Sequence, residues 1–180
     1  MQRLIENSRL IAHTDSVILN SENMISYAKD GETGQRGFLV TRNPVFLQPY
    51  NSAYDKVIAA YSTVKRMTKD NPVQQKNLGQ AKVLIDDRFR HLQKIIDLYN
   101  SRIYVSDSVN SAEMIIGKQL MDSLRMVVAD IQSEEKRLLE IHTSEQTKYI
   151  SYTPILLLLA AIVSIIVTLI SYARVKNDMD

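Results

Sequence analysis

Residues 30–41 read DGETGQRGFLVT, and they set three glycines and a charged pair into a helical apolar pattern. Upstream, Leu4, Ile11, Ile18 and Ile25 recur at seven-residue intervals, and the same series continues to Glu32 and then Leu39. The adjoining series Leu10, Val17, Met24, Gly31, Phe38 is broken by glycine at the same level, with Thr14, Ser21, Ala28 and Gln35 beside it. A sustained seven-residue apolar repeat marks a helix packed against other helices. The stretch therefore predicts a long first helix and an interruption in what that helix packs. Glu32 and Arg36 are four apart in the order that favours pairing on one face, and a half-buried carboxylate needs such a partner. Gly31, Gly34 and Gly37 together give up about 3 kcal/mol of helix propensity; close approach of another backbone or side chain is what they permit. Two readings stay open: a polar packing knot that fixes register between helices, or a signal-sensitive or ligand-contacting element.

A chain of 180 residues allows one modest domain plus attachments. The net charge of +2, without a run of like charges, leaves no electrostatic footprint for nucleic acid. Cysteine is absent, which removes disulfides, cysteine-ligated zinc and thiol catalysis together. His13, His91 and His142 fall on three different expected helices with no ligand partner at metal spacing, so they read as surface or interface residues. No nucleophile motif and no strand followed by a glycine-rich loop occurs. Neither a metal, a cofactor nor an enzymatic activity is expected of this chain.

The C-terminal part differs in kind. Tyr149 to Ala173 carries no charge, and Ile155 to Tyr172 is almost wholly Leu, Ile, Val and Ala. At the helical rise those residues cover about 27 Å, enough to cross a bilayer core. Tyr149, Tyr152 and Tyr172 flank the run, and Arg174 and Lys176 follow it, so the positive-inside rule places the C-terminus in the cytoplasm. Residues 1–150 are then expected outside the cytoplasm, 151–173 in the membrane, and 174–180 at the start of a cytoplasmic segment. With no signal peptide or membrane span before the first amphipathic helix, the natural protein is expected to begin earlier with a first transmembrane helix.

In chain order, residues 2 to about 40 predict the first helix. Thr41-Arg42-Asn43-Pro44 is a break in which Asn43 can cap and Pro44 can open a helix, while Pro49 suggests a kink or a later start. The second helix runs to about Asp70 on Leu47, Tyr50, Tyr54, Val57, Tyr61 and Val64. Asn71-Pro72 starts a third on Leu78, Ile85, Phe89, Leu92, Ile96, Tyr99 and Ile103. The polar run Ser106 to Ser111 ends it, and Asn110 with Glu113 fits a capping box for a fourth. That helix carries Met121, Leu124, Val128, Ile131, Glu135, Leu138 and His142 towards Tyr149, with a bend expected at Thr153-Pro154. The economical fold is all-α: an antiparallel four-helix bundle with long first and fourth helices, followed by a C-terminal transmembrane helix. Pairing of two copies through the membrane-proximal ends of the first and fourth helices is expected, because each is too long to be buried by its neighbours alone along its whole length.

GETGQRGFLVT, then FLQPY, and later MDSLRMVVADIQSEEKRLL resemble the type-3 CHASE sensory domain over roughly residues 20–145. That domain is an extracytoplasmic four-helix input module of bacterial sensor histidine kinases, diguanylate cyclases and chemoreceptor-like proteins. The resemblance places its signature on Glu32, Thr33, Gly34, Arg36 and Gly37, on Leu47 and Tyr50, and on Asp122, Arg125, Glu135, Leu138 and Leu139. The chain departs from it at Arg42, where the family has glycine, and at His142, where an arginine commonly stands. It implies a membrane-bound homodimeric input domain, with a histidine kinase as the foremost output, answering an extracytoplasmic stimulus by helix displacement in the bacterial inner membrane. The output domain lies outside these residues. The alternatives are a non-sensing tail-anchored helical scaffold and a chemoreceptor-type ligand domain.

Overall fold

The computed structural model describes residues 2–101 and 107–179, with side chains for 5–101, 111–143, 155–172 and 174. Four helices follow in order: α1 (Gln2–Thr41), α2 (Gln48–Met67), α3 (Pro72–Asn100) and α4 (Asp107–Met179), with a 3-10 turn at Pro44–Leu47 before α2. No strand occurs among the described residues. The chain divides into two compact units, residues 1–137 and 138–180.

The first unit is the expected up-and-down four-helix bundle. Hydrogen bonds fix the levels at which its helices meet. Thr14 of α1 and Gln74 of α3 both reach Glu135 of α4, while Glu32 meets Arg88, and His91 meets Glu113. Numbers rise along α1 and α3 as they fall along α4, so α4 runs antiparallel to both. Val17, Met24, Val57, Val64, Leu78, Ile85, Leu124 and Ile131 fill the middle, none of them more than marginally accessible. Because Thr14 already lies level with the start of α3, the first turns of α1 extend past the ends of α2 and α3.

Of the two apolar series on α1, one lines the seam and the other stands at its edge. Residues 14, 17, 21, 24, 28, 31, 35 and 38 are buried, whereas Ile11 is exposed and Ile18, Ile25 and Leu39 are only half-buried. The series Thr14, Ser21, Ala28, Gln35 shares this seam with Val17, Met24, Gly31 and Phe38, and α1 approaches α2 closely at Gly31, where a Cβ would lie 3.0 Å from Ala53 Cβ. Glu32 therefore stands at the edge of the core, not inside it.

The glycines mark that close approach. A Cβ built on Gly34 would lie 2.9 Å from the carbonyl oxygen of Phe46 and 3.0 Å from the amide of Tyr50; one on Gly37 would lie 2.7 Å from the Phe46 ring. Arg42, standing where the resembled family has glycine, takes φ 58°, so the turn keeps its left-handed geometry. Its Nε donates to the Tyr99 hydroxyl at 2.8 Å, and its guanidinium lies 5.5 Å from the centre of that ring. Those contacts offset part of the cost of a left-handed non-glycine residue.

Helix boundaries follow their caps. Asn43 accepts from Val45 N at 3.0 Å and holds the 3-10 turn; Pro49 sits in the first turn of α2, where its missing N–H costs nothing. Asn71 accepts from Val73 N and Gln74 N and opens α3. Two expectations are corrected. α4 begins at Asp107, three residues before Asn110, and Glu113 is no capping residue, because α3 supplies its partners. Helix also continues through Thr153 and Pro154, since a proline interrupts the ladder locally while its other residues keep their bonds. Ile103 and Ser106 lie outside the described residues, as do the side chains of Leu4, Asn110, Tyr149, Tyr152 and Lys176.

The second unit holds Ile155–Tyr172, whose mean hydropathy is 2.8 and of which 0% is buried. It is long and apolar enough to cross a membrane.

Candidate functional site

Towards the α1–α2 turn, five charged side chains and one imidazole form a continuous chain across three helices. Arg36 Nη2 lies 2.5 Å from Glu32 Oε1 on α1, and Arg88 Nη2 of α3 lies 2.8 Å from Glu32 Oε2. Arg88 Nη1 lies 3.2 Å from His91 Nδ1, and His91 Nε2 lies 3.0 Å from Glu113 Oε2 of α4. Lys94 Nζ closes the chain on Glu113 Oε1 at 2.5 Å. A guanidinium can only donate, so Nδ1 accepts and Nε2–H donates: His91 is neutral in this arrangement. Gly117 makes room for it, since a Cβ there would lie 3.0 Å from Arg88 Nη1 and 3.1 Å from His91 Cε1.

The expected Glu32–Arg36 pair is present, but Arg36 is 68% exposed and Arg88 only 4%. Coulomb attraction is stronger away from water, so the buried arginine is the weightier partner. Of the three histidines, His91 lies at an interface, half-buried between α3 and α4 as a hydrogen-bonded member of this chain, whereas His142 is exposed and His13 is 42% exposed.

Burial, then the charge of Arg88, pushes the His91 pKa below its ordinary 6.5, with Glu113 opposing. The hydrogen bond from Lys94 and its charge hold Glu113 below its ordinary 4.5, against some desolvation. Both folded values are depressed, so below each ordinary value the unfolded chain binds the proton first. Stability is expected to fall as the pH drops below about 6.5, and again below about 4.5 as Glu113 titrates. Urea unfolding across that range tests this, and in His91→Gln the first decline should shrink while the second remains.

The remaining signature residues are not gathered here. Gly34 and Gly37 serve the turn, and Thr33 is exposed. Asp122 pairs with Lys118 at 2.5 Å and Arg125 at 2.7 Å on the outer face of α4. Glu135, 4% exposed, sits about 27 Å along the bundle from Glu32, by the rise between Thr14 and Glu32. It accepts from Thr14 Oγ1 at 3.4 Å and Gln74 Nε2 at 3.3 Å, and His13 Nε2 lies 3.5 Å away. The nearest potential cation to this carboxylate thus comes from α1, whereas His142 bonds to its own helix at Leu138 O.

Arg88 and Lys94 were not singled out from the sequence, where His91 reads as a surface or interface residue and Glu113 as a capping residue. One signal was there: Gln74, Ala81 and Arg88 form a small-and-polar heptad series on α3, all three buried. Between α1, α3 and α4 this charged chain borders a cleft of about 450 Å³, whose walls include Leu39, Val40, Ile95 and Met114. Among the described residues no group of three or more His, Asp or Glu could hold a metal ion.

The described residues thus form an all-helical bundle with a charged chain across three helices and a side cleft. Residues 7–145 match the model of the CHASE3 domain, and the chain belongs to that family. The fold is also that of the crystal structure of the Rhodopseudomonas palustris histidine kinase HK9 sensor domain, with a TM-score of 0.62 at 22% identity, over 69% of this chain and 97% of that one. No curated protein sequence matches the chain. The CHASE3 domain is a sensory input domain, not a catalytic one, so the function is sensory.

Proposed function

We propose that this chain is the membrane-anchored input segment of a receptor, foremost of a sensor histidine kinase. Residues 1–150 stand outside the cytoplasm, 151–173 span the inner membrane, and 174–180 lead to an output domain. Two copies pair along α1 and α4, where Ile5, Ile11, Leu19, Ile115 and Met126 are exposed. The observation that carries the reading is the relay Glu32–Arg88–His91–Glu113, which joins α1 to α4 through α3. α1 and α4 are the helices whose far ends leave the bundle, so a change in the relay biases their relative position. A stimulus acts by favouring one of the two arrangements.

The test is to join the chain, behind an added first membrane helix, to a kinase core in membranes and measure autophosphorylation. Glu32→Gln and His91→Gln are expected to move basal output by about five-fold or more, with α-helical content retained. Unchanged output in both would favour the non-sensing scaffold.

A further inference from the structure

The cleft between α1, α3 and α4 is built of two kinds of surface. Leu39, Val40, Ile95 and Met114 give it an apolar part, with Val40 85% and Met114 71% exposed. The rest of its lining is largely charged, and those charges do not balance. Arg36, Arg88 and Lys118 face it as cations, against Glu32 and Glu113 as anions. His91 adds no charge while it accepts from Arg88.

The partners decide the sign of what fits. Glu32 is already held by Arg36 and Arg88, and Glu113 by His91 and Lys94. A cationic ligand would have to displace a cation at either carboxylate. The cations are less fully engaged. Arg88 Nε is buried without an acceptor, and Arg36 and Lys118, at 68% and 76% exposure, each have one salt-bridge partner, Glu32 and Asp122 respectively. Planar guanidinium groups match a carboxylate in two-point hydrogen bonding.

Resting on the sensory reading above, we propose that this cleft is the ligand site and takes a small organic monoanion, a carboxylate carried on a short apolar body. The carboxylate meets Arg36 and Lys118 at the mouth and competes with Glu32 for the Arg88 fork; the apolar body lies against Leu39, Ile95 and Met114. Binding then loosens the tie between α1 and α3, a differential interaction of the kind a switch needs. Gly117 belongs to this design, because a side chain there would press on Arg88 and His91, which line the cleft.

The probe is hexanoate, with hexanol and hexylammonium as the neutral and cationic counterparts, added to the full chain in lipid nanodiscs. Methionine methyl groups labelled with carbon-13 report on it locally: Met114 lines the cleft, while Met24 is fully buried in the core and serves as the control. Hexanoate is expected to shift the Met114 methyl saturably and leave Met24 in place, with hexanol weaker by about ten-fold and hexylammonium without saturable effect. Arg36→Gln with Lys118→Gln, both at exposed positions, should weaken hexanoate by about ten-fold and leave the Met24 resonance native. Equal shifts from all three probes would overturn the proposal, as would no shift from any, or wild-type affinity in the double variant. If the kinase fusion answers to the relay variants while Met114 ignores hexanoate, the ligand class fails and the sensory reading stands.

Discussion

Glu32→Ala is expected to lower the unfolding free energy by about 3–5 kcal/mol, whereas Arg36→Ala should cost about 0.5 kcal/mol or less. The two residues form one ion pair, yet the burial of what each leaves behind is opposite. Without Arg36, Glu32 keeps Arg88 at 2.8 Å, and water replaces a partner that is already 68% exposed. Without Glu32, the Arg88 guanidinium is left 4% exposed, with His91 Nδ1 as its remaining hydrogen-bond acceptor. An uncompensated buried cation is among the few single changes that cost this much. Urea unfolding of the full chain in nanodiscs measures the difference. Glu32→Leu combined with Arg88→Met should recover most of the loss, because replacing both members of a buried pair by apolar groups is often close to neutral. Equal losses from Glu32→Ala and Arg36→Ala would mean that Arg88 finds another acceptor.

Gly34→Ala should cost about 2 kcal/mol, and Gly79→Ala should gain about 1 kcal/mol, although both glycines lie inside helices. Alanine is the better helix former at either site. At Gly79 nothing lies within 4 Å of an added methyl, so the intrinsic gain is realised. At Gly34 the methyl would meet the Phe46 carbonyl oxygen at 2.9 Å and the Tyr50 amide at 3.0 Å, both backbone atoms held by the 3-10 turn and the start of α2. Neither can swing aside, so the whole turn must move. Gly37→Ala falls between the two, since its closest obstacle is the Phe46 ring, which is 45% exposed and free to rotate outwards. Thermal unfolding of the three variants checks the order; a stabilised Gly34→Ala would show that the turn does not press on α1.

The all-helical fold could be read from the sequence because α3 and α4 obey their apolar stripes. Leu78, Ile85, Phe89, Leu92 and Ile96 are all buried, as are Met121, Leu124, Val128 and Ile131. On α1 one of the two apolar series, Val17, Met24 and Phe38, is buried as its pattern implies. Beside it Thr14, Ser21, Ala28 and Gln35 are buried instead of Ile11, Ile18 and Ile25, because hydrophobic periodicity does not register small or polar residues. The glycines pointed correctly to close approach, but nothing local names Phe46 and Tyr50 as the neighbours. The relay was harder still. Arg88 looks like a solvated charge on α3, and Glu32, its partner, is on another helix. Asn110 and Glu113 also satisfy a capping pattern that local rules reward, and that disguised a half-buried tertiary contact between Glu113 and His91.

The notch that Gly34 and Gly37 make for the turn fixes where length can vary during evolution. A single residue inserted between Thr14 and Gly31 would turn one half of α1 by about 100° against the other. Thr14 could then reach Glu135, or the glycines could receive Phe46, but not both. A seven-residue insertion nearly restores the face, drifting by about 20°. Among the described residues, descendants of this gene thus have the short turns at residues 42–43 and 68–71 for gaining or losing single residues.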